Sequence, residues 1–175
     1  YDHASKCADL DVYDRDILGK YTEEEWNEIN SWIDHDRDML FTYAGLRQVV
    51  DKYLVQDRSS GDVYETPQYM YIMIAVTLFQ NYTENRLDYI KRYYDAISKH
   101  KINIPTPIMA GVRTPLRQFA SCVLVDADDT LDSIFTSDMA IGRYVAQRAG
   151  IGINAGRIRG INSKIRGGEV QHTGV

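Results

Sequence analysis

Cys7 and Cys122 are the only cysteines in this chain, and their separation matches no zinc-ligand spacing. Cys122 follows Ser121 inside the apolar, β-branched run 119–125, where a cysteine is ordinarily a small packed hydrophobe. The four histidines, His3, His35, His100 and His172, are scattered, and none stands at a catalytic spacing from a Cys or Asp. Arg157, Arg159 and Arg166 sit among glycines near the C-terminal end. Guanidinium groups can grip phosphate oxygens in a bidentate fork while glycine lets backbone amides approach, so a phosphate site and a solvated surface loop both stand as readings. Gly150-x-Gly152-x-x-x-Gly156 has the wrong spacing for a dinucleotide fingerprint and follows a helix, so it reads as a strand that another backbone approaches closely. No lysine follows a glycine loop in the manner of a P-loop. Asp126, Asp128 and Asp129 are hard-cation ligand types without EF-hand spacing, and a helix cap accounts for at least one of them more simply.

The composition, 44% hydrophobic and 26% charged, is that of a globular protein rather than a disordered or fibrous one. A net charge of −5 argues against a general nucleic-acid binder. The charge is unevenly spread: residues 1–38 hold twelve acids against four Lys/Arg, and residues 141–175 hold six Lys/Arg against Glu169 alone. That asymmetry suits a local anion site at the basic end. The longest apolar run, Met70 to Phe79, is interrupted by Tyr71 and Thr77 and is too short to cross a bilayer. Residues 1–20 have no apolar signal core, so a cytoplasmic protein with reduced thiols and no membrane contact is expected. Both ends read as cut, which leads to the expectation of a fragment or one piece of a split subunit.

The elements that must position these residues change character along the chain. Residues 1–103 read as helices. Thr22 and Glu25 form a capping box ahead of Trp26, Ile29, Trp32 and Ile33, and a second stripe follows through Leu46, Val49, Val50, Tyr53 and Leu54. Asp57 to Asp62 reads as a hairpin tip between short strands. Thr66 and Pro67 open a helix apolar over much of its circumference, and Thr83 is the expected cap of the next, with Leu87, Ile90, Tyr94 and Ile97 inward. From Ile104 through Gly111 the prolines predict an extended, non-helical segment. A buried strand over 119–125, a helix capped by Asp129 or Thr130, a second strand from Gly150 and a loop-like tail then predict an α/β crossover unit.

The run Ile104-Pro105-Thr106-Pro107-Ile108-Met109-Ala110-Gly111-Val112-Arg113-Thr114-Pro115, followed by Arg117-Gln118-Phe119-Ala120-Ser121-Cys122-Val123-Leu124, resembles the start of the catalytic barrel in class I ribonucleotide reductase large subunits. Arg148-Ala149-Gly150-Ile151-Gly152-Ile153-Asn154-Ala155-Gly156-Arg157-Ile158-Arg159 and Ile165-Arg166-Gly167-Gly168-Glu169 continue the resemblance in order. Residues 1–103 resemble the family's helical region more loosely, and the regulatory ATP-cone that often precedes it is not seen. The resemblance implies an α/β fold: a helical region over 1–103, then over 104–175 the first strands and crossover helix of a ten-stranded barrel, with the effector loop.

It also implies function. In that family a cysteine thiyl radical abstracts the substrate's 3′ hydrogen, the 2′ hydroxyl leaves as water, and a cysteine pair becomes a disulfide. Cys122 falls where the first cysteine of that pair belongs, and Thr106, Ser121 and Gly150 would join it in lining the substrate pocket. Asp129, Thr130 and Leu131 match the residues that read the sugar of a deoxynucleoside triphosphate or ATP effector, and Arg159 and Arg166 those that grip its phosphates. No covalently bound cofactor or metal is implied for this chain; the metal-radical centre is expected on a small subunit. The implied partners are the remainder of the large subunit, a second large subunit across the effector site, that radical-generating subunit, and thioredoxin or glutaredoxin. The radical cysteine, with its Asn-x-Cys-x-Glu context, and the partner of Cys122 are not in these 175 residues. The alternative from another class is a non-catalytic nucleotide-binding or assembly module in which Cys122 only packs.

Overall fold

A computed structural model describes residues 1–116, 118–147 and 149–174, so Arg117 and Arg148 of the quoted motifs and Val175 lie outside the described residues. The chain forms two compact units, residues 1–119 and 120–175. Their boundary falls later than the 103/104 change of texture.

The first unit is helical: α1 (Asp2–Asp9), α2 (Glu23–Ser31), α3 (Tyr43–Lys52), α4 (Pro67–Phe79), α5 (Arg86–Ser98) and α6 (Thr106–Gly111), with 3-10 turns at Arg15–Lys20 and His35–Leu40. The capping box opens α2: Thr22 Oγ1 accepts from the Glu25 amide, and the Glu25 carboxylate accepts from the Thr22 amide at 2.8 Å. The same carboxylate takes Arg86 Nε at 2.7 Å, which ties α2 to the first turn of α5. The centre of the unit is α4, begun by the Thr66 cap with Pro67 at the first position, where its missing N–H costs nothing. Met70, Ile72, Ile74, Ala75 and Val76 are all at most 1% exposed. A helix apolar all round must be enclosed on all sides, and α4 is packed on by α5, α6 and the 3-10 turn His35–Leu40. Ile90, Tyr94 and Ile97 form the buried stripe of α5.

Three expectations are corrected here. The hairpin strands around 57–62 reduce to one antiparallel bridge, Gln56 to Val63, closed by a turn with Gly61 at φ +81°. Helix α5 starts at Arg86, not after Thr83, because Asn85 turns through the left-handed region at φ 54°, which a short amide side chain tolerates. Residues 106–111 are helix rather than extended chain: Pro105 is the N-cap and Pro107 stands in the first turn, where no intrahelical donor is needed.

The second unit holds β1 (Cys122–Asp126), α7 (Leu131–Ala146), β2 (Gly150–Asn154), β3 (Lys164–Ile165) and β4 (Val170–Gln171). Strands β1 and β2 run parallel, Cys122 opposite Gly150 through Asp126 opposite Asn154, with α7 as the crossover. This is the α/β unit that the pattern predicts, but β1 is not buried: its residues alternate exposed and half-buried. One helix over a two-stranded sheet covers a single face. The tail is not all loop either. Strands β3 and β4 pair antiparallel around a turn in which Arg166, Gly167 and Gly168 all have positive φ, and two glycines make that turn accessible. Among the described residues no helix is long and apolar enough to cross a membrane.

Candidate functional site

Alternation along β1 gives its two faces different work. Val123 and Val125 are half-buried, while Cys122, Leu124 and Asp126 are exposed. The parallel register sets Gly150, Gly152 and Asn154 beside those three exposed residues. The Gly150 amide donates to the Ser121 carbonyl at 2.9 Å. A Cβ on Gly150 would lie 3.3 Å from that carbonyl oxygen and 3.8 Å from Cys122 Sγ, so glycine keeps the space beside the thiol open. At Gly152 the constraint is sharper, because a Cβ would meet Leu124 Cδ2 at 2.7 Å. Ser121, Cys122 and Gly150 are thus brought together at one end of the sheet. Thr106 belongs to the other unit, at the first position of α6, with its hydroxyl 3.2 Å from that of Tyr53.

The two cysteines differ in setting. Cys122 is exposed and free, against the expectation of a thiol packed inside a buried strand. Cys7 is 2% exposed, with Sγ 3.6 Å from His3 Nε2. Burial, reinforced by the charge of Glu65, pushes the Cys7 thiol up to about 11. A thiol so shifted is a packing residue.

The acidic turn after β1 meets the arginine-rich segment after β2. Thr130 caps α7 by accepting from the Ser133 amide at 3.1 Å, and Leu131 follows with its side chain largely in solvent. Arg159 reaches back thirty residues to Asp129: its Nε lies 2.9 Å from both carboxylate oxygens, and its amide donates to Oδ1 at 3.1 Å. These bonds from the Arg159 side chain and amide hold the Asp129 carboxyl below its ordinary range and raise the guanidinium in turn. Arg157 spans Asp126 at 3.2 Å and Asp128 at 3.8 Å, and Asp126 also accepts from Asn154 Nδ2 at 2.7 Å. The carboxylates considered as cation ligands therefore serve as partners for arginines. Arg166 stands in the β3–β4 turn, and no ion pair joins it to Asp129 among the described residues.

A buried ionic group that sequence reasoning missed organises the first unit. Arg113 is fully buried and holds Glu65, itself 5% exposed, through Nε at 2.8 Å and through Nη2. Two further guanidinium donors go to the main-chain oxygens of Met109 at 2.5 Å and Tyr53 at 2.9 Å. Glu65 also accepts from Tyr13 and from the Val55 amide, so both its oxygens are shared. Burial works against the charged form of Arg113, and the Glu65 charge overrides it, leaving the guanidinium above its usual value. Burial, with Glu65 beside it, also carries the Tyr13 phenol well upward. The one signal in the sequence was an arginine directly after the apolar run 108–112; its acid lies 48 residues away.

Comparison with known families decides the lineage. Residues 39–117 match the family model for the all-alpha domain of ribonucleotide reductase, and residues 120–175 match that for its barrel domain. The chain belongs to the ribonucleotide reductase family. It is 57% identical over 175 residues to ribonucleoside-diphosphate reductase 1 subunit alpha of Escherichia coli (strain K12) and 58% identical to its counterpart in Salmonella typhimurium. It is 49% identical over 174 residues to the subunit alpha of Enterobacteria phage T4. Each alignment covers 99% of this chain and 23% of the relative, so the chain spans about a quarter of their length. In this chain the barrel match begins at Ala120, the first residue of the second compact unit, so the Cys122 face and the Asp129–Arg159 pair both lie in barrel sequence.

Proposed function

We propose that this chain supplies part of the catalytic subunit of a ribonucleoside-diphosphate reductase, with Cys122 as one of the two thiols that reduce the substrate. In the overall reaction the substrate's 2′ C–O bond breaks and its oxygen leaves as water. Two thiols give up two electrons and two protons and join as a disulfide. The observation that carries the reading is the exposed Cys122 thiol beside Gly150, at the end of the parallel pair, where the missing side chain leaves room for a ligand. Ser121 and Gly150 line that space with Cys122, and Thr106 is read as a further substrate-binding residue.

The Asp129–Arg159 pair, with Thr130, Leu131 and Arg166, is the effector site for a deoxynucleoside triphosphate or ATP. Asp129 offers an acceptor for a sugar hydroxyl, and the two arginines offer charge-assisted donors to phosphate. In this structure Arg159 is engaged by Asp129, so a triphosphate must compete for it. Leu131, Phe135 and Met139 fall four residues apart on α7 and are 69%, 65% and 53% exposed. Such a stripe suits a second large subunit packing across the effector site. The remaining subunit sequence, a radical-generating small subunit carrying the metal centre, and thioredoxin or glutaredoxin complete the working set, in the cytoplasm.

The test is a single turnover. Reduced full-length large subunit, mixed with its small subunit, a ribonucleoside diphosphate and no external reductant, should yield deoxynucleotide and Cys122 in a disulfide in equal amounts by mass spectrometry. Product formed while Cys122 stays a free thiol would overturn the assignment.

A further inference from the structure

The first unit contains a cleft of about 820 Å³ whose lining includes Gln48, Tyr53 and Thr106. Gln48 Nε2 donates to the Tyr53 hydroxyl at 3.4 Å, and that hydroxyl lies 3.2 Å from Thr106 Oγ1. Either hydroxyl can donate in the second bond, and the Gln48 contact favours one sense. A carboxamide nitrogen only donates, and a phenol has one proton to give. Gln48 occupies one lone pair of the Tyr53 oxygen and leaves the phenol its proton, and Thr106 Oγ1 is within reach to accept it. With the bond in that sense, the threonine hydroxyl keeps its own proton for a third partner.

The arrangement is held from behind. Tyr53 is 7% exposed, and its main-chain oxygen accepts from Arg113 Nη2 at 2.9 Å. Nη1 of the same guanidinium donates to the Met109 oxygen at 2.5 Å, within the helix that begins at Thr106. One buried cation, neutralised by Glu65, therefore fixes both the tyrosine and the helix that carries the threonine.

We propose that Gln48 and Tyr53 are positioning residues that present the Thr106 hydroxyl as a hydrogen-bond donor to a phosphate oxygen of the ribonucleotide substrate. The proposal rests on the reading of Thr106 as a substrate-lining residue. A donor prepared in this way suits an anionic acceptor, since charge-assisted hydrogen bonds are the stronger kind.

The experiment uses the full-length large subunit, with equilibrium binding of cytidine diphosphate measured by calorimetry and kcat and KM measured in the holoenzyme. Tyr53→Phe removes the phenol proton and keeps the ring and the main-chain bond to Arg113. It should weaken binding about three- to tenfold, the range of one hydrogen bond, with kcat at saturation unchanged. Thr106→Val should weaken binding at least as much, Thr106→Ser should restore it, and Tyr53→Phe added to Thr106→Val should bring no further loss. Independent, multiplying losses in the double variant, or normal binding by Tyr53→Phe beside a weakened Thr106→Val, would overturn the positioning role and leave the Thr106 reading standing. Normal binding by Thr106→Val would instead remove the reading on which the proposal rests, and the proposal with it.

Discussion

The two units bury their apolar surface to different degrees. In the first, α4 is enclosed by its neighbours and even a guanidinium, Arg113, is fully buried with an acid to match. In the second, Ala127 and Ala149 are the buried apolar residues among those described, while Leu124, Leu131, Phe135 and Ile161 are 65% exposed or more. A parallel strand pair is normally covered on both faces, and α7 packs against one. The helical unit therefore closes on itself, and the strand unit leaves its surfaces open, among them the Cys122 face and the α7 stripe.

Substitutions that set the two units against each other should separate these roles. Arg113→Met leaves Glu65 buried and uncompensated, and should cost about 3–5 kcal/mol of stability. Both tryptophans, Trp26 and Trp32, lie in the first unit, so fluorescence during urea unfolding reports that loss directly. An unchanged midpoint would mean that the pair contributes nothing. Ile74→Ala, in the enclosed helix, should cost about 2–5 kcal/mol by the same readout. Arg159→Ala should leave that midpoint alone and weaken effector binding about tenfold or more, as the loss of a charge-assisted contact requires. Calorimetry with a deoxynucleoside triphosphate checks it, and full affinity would remove Arg159 from the clamp. Phe135→Ser should have the smallest effect on folding, within about 0.5 kcal/mol, while lowering large-subunit dimerisation in sedimentation. The cysteines give a fifth contrast. At pH 8 a thiol raised to about 11 is almost wholly protonated, so iodoacetamide should label exposed Cys122 well before Cys7; equal rates would break the distinction.

Much of this contrast was legible in the sequence where local physics decides. The capping box at Thr22, the all-round apolar α4 and the strand–helix–strand order of the barrel segment follow from periodicity and capping, and the structure has them. The prolines around Thr106 misled because a proline in a helix's first turn satisfies the same rule that forbids it further in. The short apolar β1 read as buried because composition signals a wish for cover and not its presence. The Glu65–Arg113 pair was invisible because nothing in the sequence near Arg113 announces a carboxylate 48 residues away. The assignments of Cys122, Thr106, Asp129 and Arg166 came from resemblance. To these the geometry adds the open space beside Cys122 and the engagement of Arg159 by Asp129.

The claim that most needs testing is that Cys122 works as a redox thiol and not as a packing residue. The direct measurement is ribonucleotide reduction by the full-length large subunit carrying Cys122→Ser, with its small subunit and a thiol reductant, beside the parent protein. The account expects multiple-turnover reduction to be lost while substrate and effector still bind. Full turnover by the serine variant would contradict it.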